Sequence, residues 1–127
     1  MIVSSAAAFI GIPAYSAYCA SKAALIGFAD ALRLEAKLTG LSVGICFPPD
    51  TDTPQLCREL KTRPKEAEML MGRIKPRQPD DIAAKLVSAI DRRQARAYFT
   101  AAILALALFG SWARPFIEIW YGLRKGR

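Results

Sequence analysis

Leu41-Ser42-Val43-Gly44-Ile45-Cys46-Phe47, followed at once by Pro48-Pro49, decides the architecture. Leu41, Val43, Ile45 and Phe47 stand on alternate positions, the period of a strand, and the residues between them are small rather than charged. A strand with neither face marked for water is one covered on both sides, as in a parallel sheet. Upstream, residues 18–38 contain no proline, and Leu25, Phe28, Ala29, Leu32 and Ala36 recur at helical spacing, giving one face to bury. Gly40 is a natural stop just beyond that helix. Before the helix, residues 1–5 read as the end of another buried strand, and residues 6–17 as a loop of small residues broken by Gly11 and Pro13. Strand, helix and strand make a βαβ unit, so an α/β fold is expected.

Residues 50–79 are polar and carry Pro54, Pro64, Pro76 and Pro79, with short helices expected at 55–60 and 65–71. Pro79-Asp80-Asp81 puts proline and acids where a helix start favours them, predicting a helix to about Arg93. Residues 97–100 read as a last short strand. Between Arg96 and Arg114 lie 17 uncharged residues, roughly 25 Å of helix against a bilayer core of about 30 Å. Arg114-Pro115 is expected to interrupt that stretch before residues 116–121 resume the apolar pattern. Two readings fit it: a buried core or dimer segment, and a membrane-embedded or interfacial tail. Trp112, Trp120, Tyr121 and the basic end of Arg124, Lys125 and Arg127 favour the second. The chain therefore divides into a body, 1–100, and a hydrophobic, basic-ended tail, 101–127.

Composition narrows the chemistry. The chain is 53% hydrophobic and 23% charged, the make-up of an ordered domain. It contains no histidine, which removes Ser-His-Asp, Cys-His and His-ligated zinc chemistry and leaves Tyr, Lys, Asp, Glu or Cys to move protons. Cys19, Cys46 and Cys57 are odd in number and lack CxxC spacing, so reduced thiols are expected. The net charge of +7 is spread along the chain rather than gathered on one helix face, which argues against nucleic acid as a partner.

Tyr18 and Lys22 are four apart at the helix start and so share a face. A cation about 4 Å from a phenolate, at an effective dielectric near 20, stabilises it by about 4 kcal/mol. Such a pair suits tyrosine to proton transfer at neutral pH. Alone, Tyr-x-x-x-Lys is a common accident. Two further groups join it. Ser5 lies 13 residues earlier, at the end of the preceding strand, and Pro48-Pro49-Asp50-Thr51-Asp52-Thr53-Pro54 follows the next strand. Both belong to the sheet edge where open α/β sheets carry their sites.

These residues together resemble the short-chain dehydrogenase/reductase family. Its pattern runs from a strand ending in serine, through Tyr-x-x-Ser-Lys 13 residues on, to a strand ending in Pro-Gly-x-x-x-Thr. The resemblance implies the C-terminal part of a Rossmann-type doubly wound parallel sheet. It implies Tyr18 as general acid for ketone reduction, Lys22 as its cationic helper and a ligand of the nicotinamide ribose, and Ser5 as the group orienting the substrate carbonyl. The backbone from Pro48 through Pro49 to Thr51, and the hydroxyl of Thr53, would hold the nicotinamide carboxamide. The family's Tyr-Lys helix also makes a dimer face, so a homodimer is implied for this chain.

Pro49 stands where the family usually has glycine. The string 48–54, with Lys61-Thr62-Arg63-Pro64, Pro79-Asp80-Asp81-Ile82 and the hydrophobic end, resembles the branch that reduces 3-ketodihydrosphingosine. That implies NADPH as reductant, NAD remaining open, and a long-chain lipid ketone met at a membrane. The catalytic part would face the cytoplasm, at the endoplasmic reticulum in a eukaryote or the inner membrane in a bacterium. Residues 55–77 would form the lid over the substrate.

No Gly-x-x-x-Gly-x-Gly string occurs, so the dinucleotide-binding half is expected upstream of Met1 and the chain alone is expected to bind cofactor poorly. The alternatives are a reductase of the same family acting on another lipophilic ketone or alcohol, and a non-catalytic, membrane-associated relic.

Overall fold

The computed structural model describes residues 1–72 and 75–125. Its centre is a parallel three-stranded sheet in the order β1 (Ile2–Val3), β2 (Ile45–Phe47), β3 (Arg96–Tyr98). Ile45 is paired with Ile2 on one side and Arg96 on the other. Helix α1 (Ser16–Glu35) connects β1 to β2, while α2 (Pro54–Thr62), α3 (Lys65–Met71) and α4 (Pro79–Asp91) lie between β2 and β3. The chain ends in α5 (Ala101–Lys125). This is the expected α/β architecture, a part of a Rossmann-type sheet.

Alternation along β2 sends its side chains into two cores. Ile45 and Phe47 pack with Ala8, Ala29 and Ile103, against Leu25 and Ile26 of α1. Cys46 points the other way, to Ala89, Ala97 and Phe99, against Ile82 and Leu86 of α4. Phe47 stacks on Tyr98 at 5.3 Å and meets Phe9 at 4.6 Å. Both faces are thus covered, as the uncharged strand requires. Burial pushes the Cys46 thiol above its ordinary range, and Cys19, Cys46 and Cys57 are all free thiols.

Several expectations need correction. The central strand spans three residues, not seven: β1 and β3 offer partners only from Ile45 onward, and Leu41 is left exposed. At Gly44 a side chain would overlap the Gln94 carbonyl oxygen, so the approach to the strand needs glycine. Leu25 and Ala29 of α1 and Ala36 just past its end face inward, but Phe28 is 57% exposed. Thr100 is not in a strand; its hydroxyl accepts from Ile103 N at 3.2 Å and starts α5. Pro115 does not break α5. Its missing N–H frees only the Ser111 carbonyl, and Ser111 is exposed, so water can satisfy it. The short helices expected at 55–60 and 65–71 are α2 and α3. Of the other segments named from sequence, residues 73 and 74 of the expected lid and Arg127 of the basic end lie outside the described residues.

Asp30 fastens α1 to β3. Its carboxylate accepts from Arg33 at 2.8 Å and from Arg96 at 2.7 Å, and Arg33 also donates to the carbonyls of Val43 and Ala95. The Arg33 hydrogen bond, aided by Arg96, holds the Asp30 carboxyl below its ordinary 3.8. A depressed carboxyl stabilises the fold above the unfolded-state value and loses that contribution as pH falls through the folded one. Asp30→Asn should cost about 0.5–1 kcal/mol at pH 7, the pair being surface-exposed. The deficit should vanish as pH falls below the ordinary carboxylate range, a trend that urea unfolding at a series of pH values would reveal.

Candidate active site

The site forms where parallel strands end. Beyond β1, Ser4 turns inward and is 3% exposed. Its hydroxyl donates to the Lys22 carbonyl at 2.9 Å, and Ser4 N donates to the Cys46 carbonyl at 2.9 Å. This one buried serine therefore holds the end of β1 against both α1 and β2. Ser5, next along, caps the 3-10 turn Ala6–Ala8 by accepting from Ala7 N at 3.2 Å. Accepting that bond leaves the hydroxyl's own proton for another acceptor.

Tyr18 lies in the first turn of α1, 43% exposed. Lys22 follows one turn later, with Nζ 5.6 Å from the Tyr18 ring centroid and 3.4 Å from the Val3 carbonyl. The ammonium thus faces the Tyr18 ring one helical turn along α1. Beyond β2, Thr51 donates to the Pro49 carbonyl at 3.0 Å. Thr53 caps α2, its hydroxyl accepting from Leu56 N at 3.2 Å. Residues 50–52 are braced by Arg77, whose carbonyl accepts from Asp52 N at 2.8 Å and whose N–H donates to Asp50 at 2.9 Å.

These segments enclose a cleft of about 200 Å³. Ser5, Tyr18, Pro48, Pro49, Thr51 and Thr53 all line it, with Ser4, Asp50, Gln55, Leu56 and Glu59. Six of the seven residues singled out from sequence thus share one cavity. Lys22, the seventh, does not line it but touches the Tyr18 ring.

Sequence reasoning missed the charged wall of that cavity. Arg63, with its side chain 4% exposed, donates to Glu59 at 2.7 Å and to Asp50 at 3.1 Å. Tyr15 donates to the same Glu59 oxygen at 3.0 Å and meets Tyr18 edge-on at 6.3 Å. Burial, then the bond to Glu59, pushes the Tyr15 phenol above its ordinary value. Burial alone would lower the Arg63 value, but the bonds to Glu59 and Asp50 outweigh it and the guanidinium is held charged. The Glu59–Arg63 spacing was a visible i,i+4 signal, whereas the contacts to Asp50 and Tyr15 span 13 and 44 residues. Among the described residues, no cluster of His, Cys, Asp or Glu is arranged to hold a metal.

The chain belongs to the short chain dehydrogenase family, whose model matches residues 1–64. It is similar to a 3-ketodihydrosphingosine reductase of Dictyostelium discoideum, 41% identical over 90 residues that make up 71% of this chain and 27% of the relative. A 3-dehydrosphinganine reductase of Danio rerio is 42% identical over 87 residues, 68% of this chain and 26% of the relative. A 3-ketodihydrosphingosine reductase of Bos taurus is 38% identical over the same length, again 68% of this chain and 26% of the relative. The chain spans about a quarter of the length of these curated relatives.

Arg63→Met would leave Glu59 and Asp50 facing each other without their shared cation. Both carboxylates are about one-third exposed, so water relieves part of the penalty and a loss of about 2 kcal/mol is expected. Chemical denaturation would measure it, and a loss under 0.5 kcal/mol (~0.5, the scale of a surface pair) would contradict the buried-cation account.

Proposed function

We propose that the chain is the catalytic part of an NADPH-dependent reductase that converts 3-ketodihydrosphingosine to dihydrosphingosine in sphingolipid synthesis, working at a membrane with its catalytic body on the cytoplasmic side. One observation carries the reading: Ser5 and Tyr18 line one cleft with the strand end 48–53, and Lys22 lies against Tyr18. The names of the relatives supply the substrate. Residues 1–100 are then part of the Rossmann domain, and residues 101–127 a tail that meets the membrane.

The chain's own groups suit a nicotinamide. Lys22 uses one long bond on Val3 and has further N–H groups for a ribose hydroxyl. Pro48 to Thr51 and Thr53 line the cleft, and the backbone of the first with the hydroxyl of the second would take the carboxamide. The dinucleotide, when bound, supplies a hydride to the carbonyl carbon. Ser5 donates to the carbonyl oxygen and fixes its direction. Tyr18 passes its phenolic proton to that oxygen, giving the alcohol and a phenolate. Lys22 stabilises the phenolate across one helical turn.

The tail supports an interfacial position. Leu104, Leu108, Trp112, Phe116, Ile119 and Leu123 are all exposed. At helical spacing they fall on one flank about 120° wide. Ile103, Gly110, Ile117 and Tyr121 occupy the opposite flank and are buried or half-buried. Arg124 covers the Trp120 ring at 4.6 Å, an aromatic-basic pair suited to a headgroup layer. The helix is long and apolar enough to cross a membrane, but a helix with one flank docked and the other bare lies along a surface. A homodimer through α1 is part of the proposal, and the exposed Phe28 of that helix is an apolar side chain such a face would bury.

In a protein of the relatives' length carrying this chain, Tyr18→Phe should lower kcat for the sphingoid ketone by roughly 10²–10⁴-fold, with NADPH binding retained in a fluorescence titration. Undiminished turnover would refute the assignment. For the tail, deleting residues 101–127 would also remove Ile103 from the core, so the double substitution Trp112→Ser, Phe116→Ser is the better probe. It should weaken cosedimentation with anionic vesicles at least about tenfold, and unchanged partitioning would exclude an interfacial tail.

A further inference from the structure

Glu59 and Asp50 present two negative charges to the cleft, and Arg63 between them supplies one positive charge. This wall of the cleft therefore carries one uncompensated negative charge. Glu59 is the better placed to use it. Tyr15 and Arg63 both donate to its Oε1, so Oε2 takes neither bond, and the side chain remains 34% exposed. Two donors on one oxygen also fix the carboxylate's orientation, so little freedom remains to be lost on binding.

We infer that Glu59 is a specificity residue that accepts the protonated amine of a 2-amino ketone and thereby sets which carbonyl reaches Tyr18. The inference rests on the reductase reading above and names the part of the substrate that this cleft selects. An amine one carbon from the ketone is held by Glu59 while the carbonyl oxygen meets Ser5 and Tyr18. These residues all border the one cavity of about 200 Å³. Lys22 sits against the Tyr18 ring outside the cleft lining, so a cation backs the tyrosine while Glu59 offers the cleft a carboxylate for an ammonium. A hydrogen bond between two charged groups is worth enough to change affinity by about tenfold or more.

The test compares two long-chain ketones in a protein of the relatives' length that contains this chain: 3-ketodihydrosphingosine, and the same 1-hydroxy-3-ketone without its amine. The wild type should prefer the amino ketone in kcat/KM by about tenfold or more, and Glu59→Gln should reduce that preference towards one, mainly through KM. Glu59→Asp, which keeps the charge, should retain part of it. A wild type that reduces both ketones equally well overturns the inference without recourse to any variant. So does a Glu59→Gln enzyme that slows on both alike, the outcome for a purely structural residue. Loss of the preference in Asp50→Asn with Glu59→Gln unaffected also overturns it, because the charge then lies elsewhere. A wild type inactive on both ketones overturns the reductase reading itself and this inference with it.

Discussion

Ile45–Phe47 must be covered on two faces by side chains and on two edges by other strands, and most of the molecule can be understood as the means of doing so. Its edges take Ile2–Val3 and Arg96–Tyr98 in parallel. Parallel pairing forces long connections, which supply the helices that cover the faces. The same geometry brings the ends of β1 and β2 together. Ser4 and Ser5 at one and Pro48 to Thr53 at the other are therefore neighbours despite the 42 residues of chain between Ser5 and Pro48. Ser4 completes the junction by tying α1 to the strand end through the Lys22 carbonyl.

The surroundings of the resulting cleft are electrically divided. Lys22 stands against the Tyr18 ring without lining the cleft, and Asp50 and Glu59 line it on the side of α2. Arg63 is buried between the two carboxylates and keeps them from repelling one another. Tyr15 connects this wall to the start of α1, because its hydroxyl bonds Glu59 while its ring edges the Tyr18 ring. A change on α2 is thus felt three residues from the proposed acid (~one helical turn).

The βαβ unit was legible because its signals are local: alternation in 41–47, helical spacing in 18–38 and prolines at the boundaries. The spacing of Ser5, Tyr18 and Lys22 was legible for the same reason. Other features depend on partners distant in the chain. The strand shortened because its neighbours are short, and Phe28 faces outward because the apolar pattern of α1 exceeds the width that β2 can cover. Arg63 belonged to the string 61–64 that resembles the reductase branch and stood one turn from Glu59, but nothing local marks it as buried against Asp50 as well. Pro115 misled in the opposite direction: a proline rule written for helix interiors is relaxed where the orphaned carbonyl opens to water.

The join between body and tail leaves no slack. Tyr98 ends β3, Thr100 caps α5 and Ile103 is already in the core beneath β2. A tail attached through a flexible linker would let the body swivel and drift above whatever it is tethered to. Here the first turn of the helix is clamped into the same apolar cluster as Phe47, so tilting the helix tilts the sheet with it. Whatever surface the bare flank of α5 rests on thereby dictates the height and heading of the cleft's mouth, in the way a short rigid handle sets the angle of a blade.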